Sequence, residues 1–150
     1  EELIKSLDSG KVKYYVTDFP IDEKKNHDRV IALPHLGAST SEAEDNCAVM
    51  IVKQIKEYLE NGNIINSVNF PDAKMPRAGM ERLSITHRNI PNMVRQITRA
   101  IAEEEANIVD MLNKSRGELA YTLIDIEDEI SEFVIKNIEQ VEGILKVRVL

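Results

Sequence analysis

The apolar positions of this chain switch repeatedly between helical and strand periods. At the start, Leu3, Ile4 and Leu7 fall on one helical face that stops at Gly10, a natural helix C-terminus. Tyr14, Tyr15 and Val16 then make a short strand-like run that turns at Pro20, and residues 30–33 make a second one stopped by Pro34. Two strands are too few for a covered parallel sheet, so residues 1–40 read as the tail of an incomplete α/β unit. Ser39 and Glu42 form a capping-box pattern, followed by Glu44 and Asp45 where a helix N-terminus favours negative charge. Cys47, Ile51, Ile55 and Leu59 recur at every fourth position and Gly62 closes the run, which predicts a helix from about 41 to 60.

After a short apolar run at Ile64, Ile65 and Val68, the periodicity lapses across Pro71, Pro76 and Gly79, which marks a linker at 71–81. From Arg82 the pattern is strand, helix, strand, strand, helix, strand. Leu83 and Ile85 alternate with Ser84 and Thr86, and the run breaks at Asn89. Pro91 suits a first helical position, with Val94, Ile97 and Ile101 on one face behind it. Two strands, over 108–112 and 119–126, flank Ser115-Arg116-Gly117 as a hairpin. Asp128 is placed to cap a second helix carrying Ile130, Val134, Ile138 and Val141, Gly143 ends it, and 146–149 alternate as a last strand near an edge.

This order predicts an α+β chain: a βαββαβ, ferredoxin-like module with both helices on one face of a four-stranded antiparallel sheet, preceded by an α/β tail with a long helix. The expected domains are residues 1–70, a linker at 71–81, and 82–150. A module so small has a limited core, and pairing its open sheet edge with a second copy would add buried area, so a homo-oligomer is expected.

Composition narrows the function classes. A net charge of −7 without a Lys/Arg stripe argues against nucleic acid as a partner. No apolar run approaches the roughly 20 residues of a membrane span and no signal-like segment opens the chain, so a cytoplasmic protein with no membrane partner is expected. Cys47 is the one cysteine, which excludes an internal disulfide; its apolar neighbours at helical spacing predict a buried thiol. The three histidines, His27, His35 and His87, are dispersed, so no metal site is expected. Residues 1–7 read as the middle of a longer element, which points to a piece of a longer protein.

His35 carries the first candidate chemistry. It lies in Pro34-His35-Leu36-Gly37-Ala38-Ser39-Thr40, between a strand end and a helix start, where α/β enzymes hold ligands. A histidine there exchanges protons near neutral pH if a carboxylate orients it, and Asp22 or Glu23 on the preceding loop is available.

The runs Val16-Thr17-Asp18-Phe19-Pro20, Pro34 through Thr40, and Ser67-Val68-Asn69-Phe70-Pro71 resemble the end of the catalytic region in the D-isomer-specific 2-hydroxyacid dehydrogenase family, and with the module behind them its D-3-phosphoglycerate dehydrogenase branch. The resemblance implies NAD as cofactor, 3-phosphoglycerate as substrate, His35 as proton donor and acceptor, and Leu36, Gly37 and Ala38 beside the cofactor. A gapless match puts Asp22 at the place of the carboxylate partner, with Glu23 next to it. Thr17 stands where the family has an aspartate, and Asp18 comes one residue late. No Gly-x-Gly-x-x-Gly turn is present, nor a candidate for the substrate-binding arginine, so this chain alone is expected to be inactive.

The last module resembles the ACT domain, a βαββαβ unit that binds amino acids between paired copies. His87-Arg88-Asn89-Ile90-Pro91-Asn92 matches a His-x-Asn-x-Pro-Gly loop except at its last place. The likeness implies an effector site of His87 and Asn89, with Asn107 reaching across from the partner, and L-serine or a related amino acid as ligand for feedback regulation. The alternative is a module that serves only to oligomerise, with these three residues capping and turning the chain.

Overall fold

The computed structural model describes residues 1–20 and 26–150, and divides into two compact units, Glu1–Met50 and Ile51–Leu150. The first holds helix α1 (Glu2–Asp8) and the parallel pair β1 (Tyr15–Thr17) and β2 (Val30–Ala32), in register Tyr15 with Val30 to Thr17 with Ala32. Leu7 is its buried anchor, and the Arg29 guanidinium donates to the Leu7 carbonyl at 2.7 Å. Helix α2 (Ser41–Asn61) starts in this unit, as the fourfold apolar spacing predicts. Its cap is Thr40, whose Oγ1 accepts from Ala43 N–H at 3.1 Å, in place of the expected Ser39.

No residue of α2 is buried, and Cys47, expected to be buried, is exposed. Val49, Met50, Ile51, Val52, Ile55 and Leu59 are at least half open to solvent. Periodicity identifies an apolar stripe, but it takes a close-packed neighbour to bury one, and no residue of this stripe is buried.

The second unit is a four-stranded antiparallel sheet in the order β4-β5-β3-β6, built from β3 (Glu81–Arg88), β4 (Ile108–Arg116), β5 (Leu119–Ile126) and β6 (Ile144–Val149). Helices α3 (Met93–Ala102) and α4 (Glu132–Glu139) close one face over a core of Leu83, Ile85, Ile97, Ile101, Ile124, Ile126, Val134, Ile138 and Val147. This is the ferredoxin-like α+β plan read from the alternating and helical periods. Two caps differ from expectation. Ser131 rather than Asp128 caps α4, accepting from Val134 N–H at 3.3 Å. α3 begins at Met93, not Pro91, because Asn92 at φ 73° turns the chain through the left-handed region first.

Part of the expected linker also has a structural use. Ala73 and Met75, together with Ile64 before the linker, pack on Tyr121 and Leu123, covering the sheet face opposite the helices. The alternation of β5 explains this, since Tyr121, Leu123 and Asp125 point away from Thr122, Ile124 and Ile126. Arg82 fastens the segment. It is fully buried, and its five N–H groups are all used: two on Asp125, the others on the carbonyls of Asn61, Met75 and Pro76 at 2.9 Å. Burial pushes the Asp125 carboxyl up, but the Arg82 bonds and the Ala78 N–H, at 2.7 Å, hold it below its ordinary value. Gly79 fits here because a β-carbon would meet the Ile126 backbone, its nitrogen at 2.7 Å. At the end of α2, Arg148 donates to the Leu59 carbonyl at 3.1 Å and lies 4.7 Å from the Tyr58 ring centroid.

Candidate functional site

The first group of predicted residues follows the carboxyl ends of the two parallel strands. Asp18 comes after β1 and His35 after β2, and their side chains approach to 3.4 Å, Nδ1 to Oδ2. The Phe19 ring meets the imidazole edge-on at 5.4 Å between centroids. Both members of the His–Asp pair are more than half exposed, so the geometry is open to a ligand and offers little desolvation. Asp22 and Glu23, the carboxylates expected beside His35, lie outside the described residues; Asp18 is the carboxylate that the described residues place there. Leu36, Gly37 and Ala38 form an exposed turn closed by Ser39 N–H on the Leu36 carbonyl at 3.0 Å, with open space around Gly37.

The second group is spread over the sheet. His87 ends β3 and is 2% exposed; its Nδ1 meets the Arg88 carbonyl at 2.8 Å and its Nε2 meets Thr122 Oγ1 at 2.9 Å. Asn89 ties the loop to the β4–β5 turn, its amide donating to the Gly117 carbonyl at 3.0 Å and its backbone N–H to Glu118 at 2.8 Å. Asn92 caps α3 with backbone alone, and no side chain bonds the helix's first N–H groups. The left-handed φ at Asn92 is the conformation that a glycine at this place would adopt, and asparagine tolerates it.

Asn107 sits elsewhere. It precedes β4, where its amide donates to Glu127 at 2.6 Å, while His87 and Asn89 lie at the other end of that strand. At about 3.3 Å per residue the separation is roughly 25 Å. One copy therefore does not bring the three residues together.

Sequence reasoning missed two things. The buried Arg82–Asp125 pair gave no signal, because a lone Arg at a strand start reads as solvated. A cavity of about 310 Å³ lies on the sheet face away from the helices, lined by Ile51, Ile55, Tyr58, Ile64, Phe70 and Tyr121 among others; none of the predicted site residues reaches it. Tyr121 there donates to the Gly62 carbonyl at 2.6 Å, and burial raises its hydroxyl to about 12. Among the described residues, no three His, Cys, Asp or Glu side chains converge as a metal site would require, and no helix is long and apolar enough to cross a membrane.

The strand order and the two same-face helices define the class: an α+β chain ending in a ferredoxin-like module. Among solved structures, it is similar to the ACT domain from GTP pyrophosphokinase of Chlorobium tepidum, with TM-score 0.42 and 18% identity over 47% of this chain and 95% of that one. It is also similar to the regulatory subunit of aspartate kinase from Thermus thermophilus, with TM-score 0.40 and 10% identity over 47% and 49%. The class rests on the strand order, not on these superpositions. No protein-family model matches the chain.

By sequence the chain is similar to D-3-phosphoglycerate dehydrogenases. It is 30% identical to that of Escherichia coli strain K12 over 125 residues, 82% of this chain and 30% of the relative. The Haemophilus influenzae relative is 26% identical over 162 aligned residues, all of this chain and 40% of that protein. A putative D-3-phosphoglycerate dehydrogenase of Schizosaccharomyces pombe is 33% identical over 66% of this chain and 22% of its own length. The chain thus spans well under half the length of these relatives.

Proposed function

We propose that this chain is the C-terminal part of a cytoplasmic, NAD-dependent D-3-phosphoglycerate dehydrogenase, the oxidoreductase that converts 3-phosphoglycerate to 3-phosphohydroxypyruvate in L-serine biosynthesis. Its ACT module, residues 82–150, binds an amino acid, L-serine first, for feedback regulation, and residues 1–70 belong to the catalytic region. The observation that carries the sensing half is the separation of Asn107 from His87 and Asn89 by the length of β4. β4 is a sheet edge with largely exposed side chains. If two copies join β4 to β4 antiparallel about a twofold axis, the start of one strand lies beside the end of the other. Asn107 of one copy then faces the 87–92 loop of its partner, and an amino acid between them meets amide oxygens and the uncapped N–H groups of α3. Serine slows the intact enzyme only if it binds the slow state more tightly than the fast one.

For the dehydrogenase half, NAD supplies the hydride acceptor. This chain's own residues fit one side of such a site. His35 holds a proton that it exchanges with a substrate hydroxyl, Asp18 orients the ring from 3.4 Å, and the exposed turn of Leu36, Gly37 and Ala38 allows close backbone approach. The glycine-rich pyrophosphate turn is not among the 150 residues, and by itself the chain turns over no 3-phosphoglycerate.

Calorimetry with L-serine and sedimentation at several concentrations test this reading. A serine-binding dimer whose heats are lost in Asn89→Ala and Asn107→Ala is expected. An obligate dimer that gives no heat with serine would instead favour oligomerisation alone, the reading suited by the internal hydrogen bonds of His87, Asn89 and Asn107; a monomer without heat would reject both.

A further inference from the structure

Across the helix-facing side of the sheet runs one polar row in an otherwise apolar layer: His87 on β3, Thr122 on β5, Asn113 on β4. His87 Nε2 lies 2.9 Å from Thr122 Oγ1, and Thr122 Oγ1 donates to Asn113 Oδ1 at 2.8 Å, with the amide NH2 turned outward. His87 and Thr122 are buried, whereas Asn113 is exposed on the edge strand. The row therefore joins the interior to the surface.

Proton counting restricts it. The Arg88 carbonyl only accepts, so Nδ1 of His87, 2.8 Å away, carries a proton in every state. In a neutral ring Nε2 must then accept, and the Thr122 hydroxyl is the donor. That hydroxyl has one proton, so its oxygen receives one from the NH2 end of Asn113, and the Asn113 carbonyl turns outward. In a charged ring each direction reverses: Nε2–H donates to Thr122, Thr122 donates to the Asn113 oxygen, and the amide NH2 turns outward. The two ends of an amide are isosteric, so a half-turn of the Asn113 side chain exchanges the arrangements in the same space.

We propose that His87, Thr122 and Asn113 form a relay in which the proton state of the ring fixes which end of the Asn113 amide faces outward from β4. With the ring neutral, that end is the carbonyl, an acceptor for the ammonium group of a bound amino acid. His87 is on this account a positioning residue, since both its nitrogens are spent inside the fold and neither reaches a ligand. The ionisable side chains at this end of the sheet are Arg88 on β3, Lys114 and Arg116 on β4, Glu118 in the turn, Glu142 before β6 and Lys146 on β6; none is hydrogen-bonded to the ring. The ligand part rests on the amino-acid-binding reading above, while the relay itself does not.

The test uses the full chain, 15N-labelled, with the ring nitrogens of His87 read by long-range 1H–15N correlation at pH about 8, above the ordinary histidine range of about 6.5. His87→Gln assigns the signals against His27 and His35. In the unsubstituted chain Nδ1 should be protonated and Nε2 bare. Asn113→Asp puts a group that only accepts at the end of the row, so the Thr122 proton turns to it and Nε2 becomes protonated at the same pH. Adding Thr122→Val to Asn113→Asp should restore the bare Nε2. A protonated Nε2 in the unsubstituted chain, or a ring indifferent to Asn113→Asp, overturns the relay. For the ligand part, Asn113→Leu should weaken L-serine binding about tenfold or more, and unchanged affinity overturns the acceptor role. No serine heat from the unsubstituted chain would reject the sensing reading and the acceptor role together, with the ring spectra still deciding the relay.

Discussion

Asp125→Ala is the substitution whose cost the structure defines best. It leaves the Arg82 guanidinium fully buried with two of its five donors unpaired and its charge uncompensated, and it frees the Ala78 N–H as well. Breaking a buried ion pair from one side typically costs about 3–5 kcal/mol, a large share of the roughly 5–15 kcal/mol that holds a domain folded. The double variant Arg82→Met with Asp125→Leu removes both charges and leaves the carbonyls of Asn61, Met75 and Pro76 and the Ala78 N–H as the unsatisfied groups. Its loss should fall below the sum of the two single losses by about 2 kcal/mol or more.

The sign with pH is fixed by the same pair. Asp125 is held below its ordinary value in the fold, so its contribution is present above the unfolded carboxyl range near about 4 and fades as pH falls through the lower folded value. Urea denaturation followed by circular dichroism at neutral pH, and again in acid, measures both effects. A cost under about 1 kcal/mol for Asp125→Ala, or strict additivity in the cycle, would refute the claim that this pair fastens the 61–78 segment to the sheet.

Three further outcomes are expected. Gly79→Ala should lower stability by about 1–3 kcal/mol in the same denaturation assay, because its β-carbon meets the Ile126 backbone rather than a movable side chain. In an ultraviolet pH titration one of the four tyrosines, absent in Tyr121→Phe, should ionise near about 12; the stability that this hydroxyl contributes is present below the ordinary tyrosine value of about 10 and lost as pH rises toward about 12. Cys47 should react fully with a thiol reagent in the native chain, since it is exposed; reaction only in denaturant would mean that the apolar face of α2 is covered in solution.

The sequence by itself determined the elements and their order. Alternation in 83–86 and fourfold spacing in 47–59 are local rules that hold wherever the chain goes, and the left-handed positions at Gly10 and Gly143 follow from the same backbone sterics. Caps were legible only to within a few residues. Thr40 and Ser131 were chosen over Ser39 and Asp128 by which oxygen reaches a free N–H once the helix is in place.

Tertiary structure alone decided what each stripe and polar side chain meets. The cysteine on an apolar helical stripe stayed exposed because burial needs a second surface. Arg82, to which the sequence pattern gives no role beyond opening a strand, has all five of its donors bonded because five acceptors outside its own strand converge on it. Likewise His87 could be read as a candidate binding residue from its loop. That both its nitrogens are taken, one by a carbonyl next to it and one by a hydroxyl from a strand 35 residues away, depends on which strands lie side by side, and no local pattern encodes that.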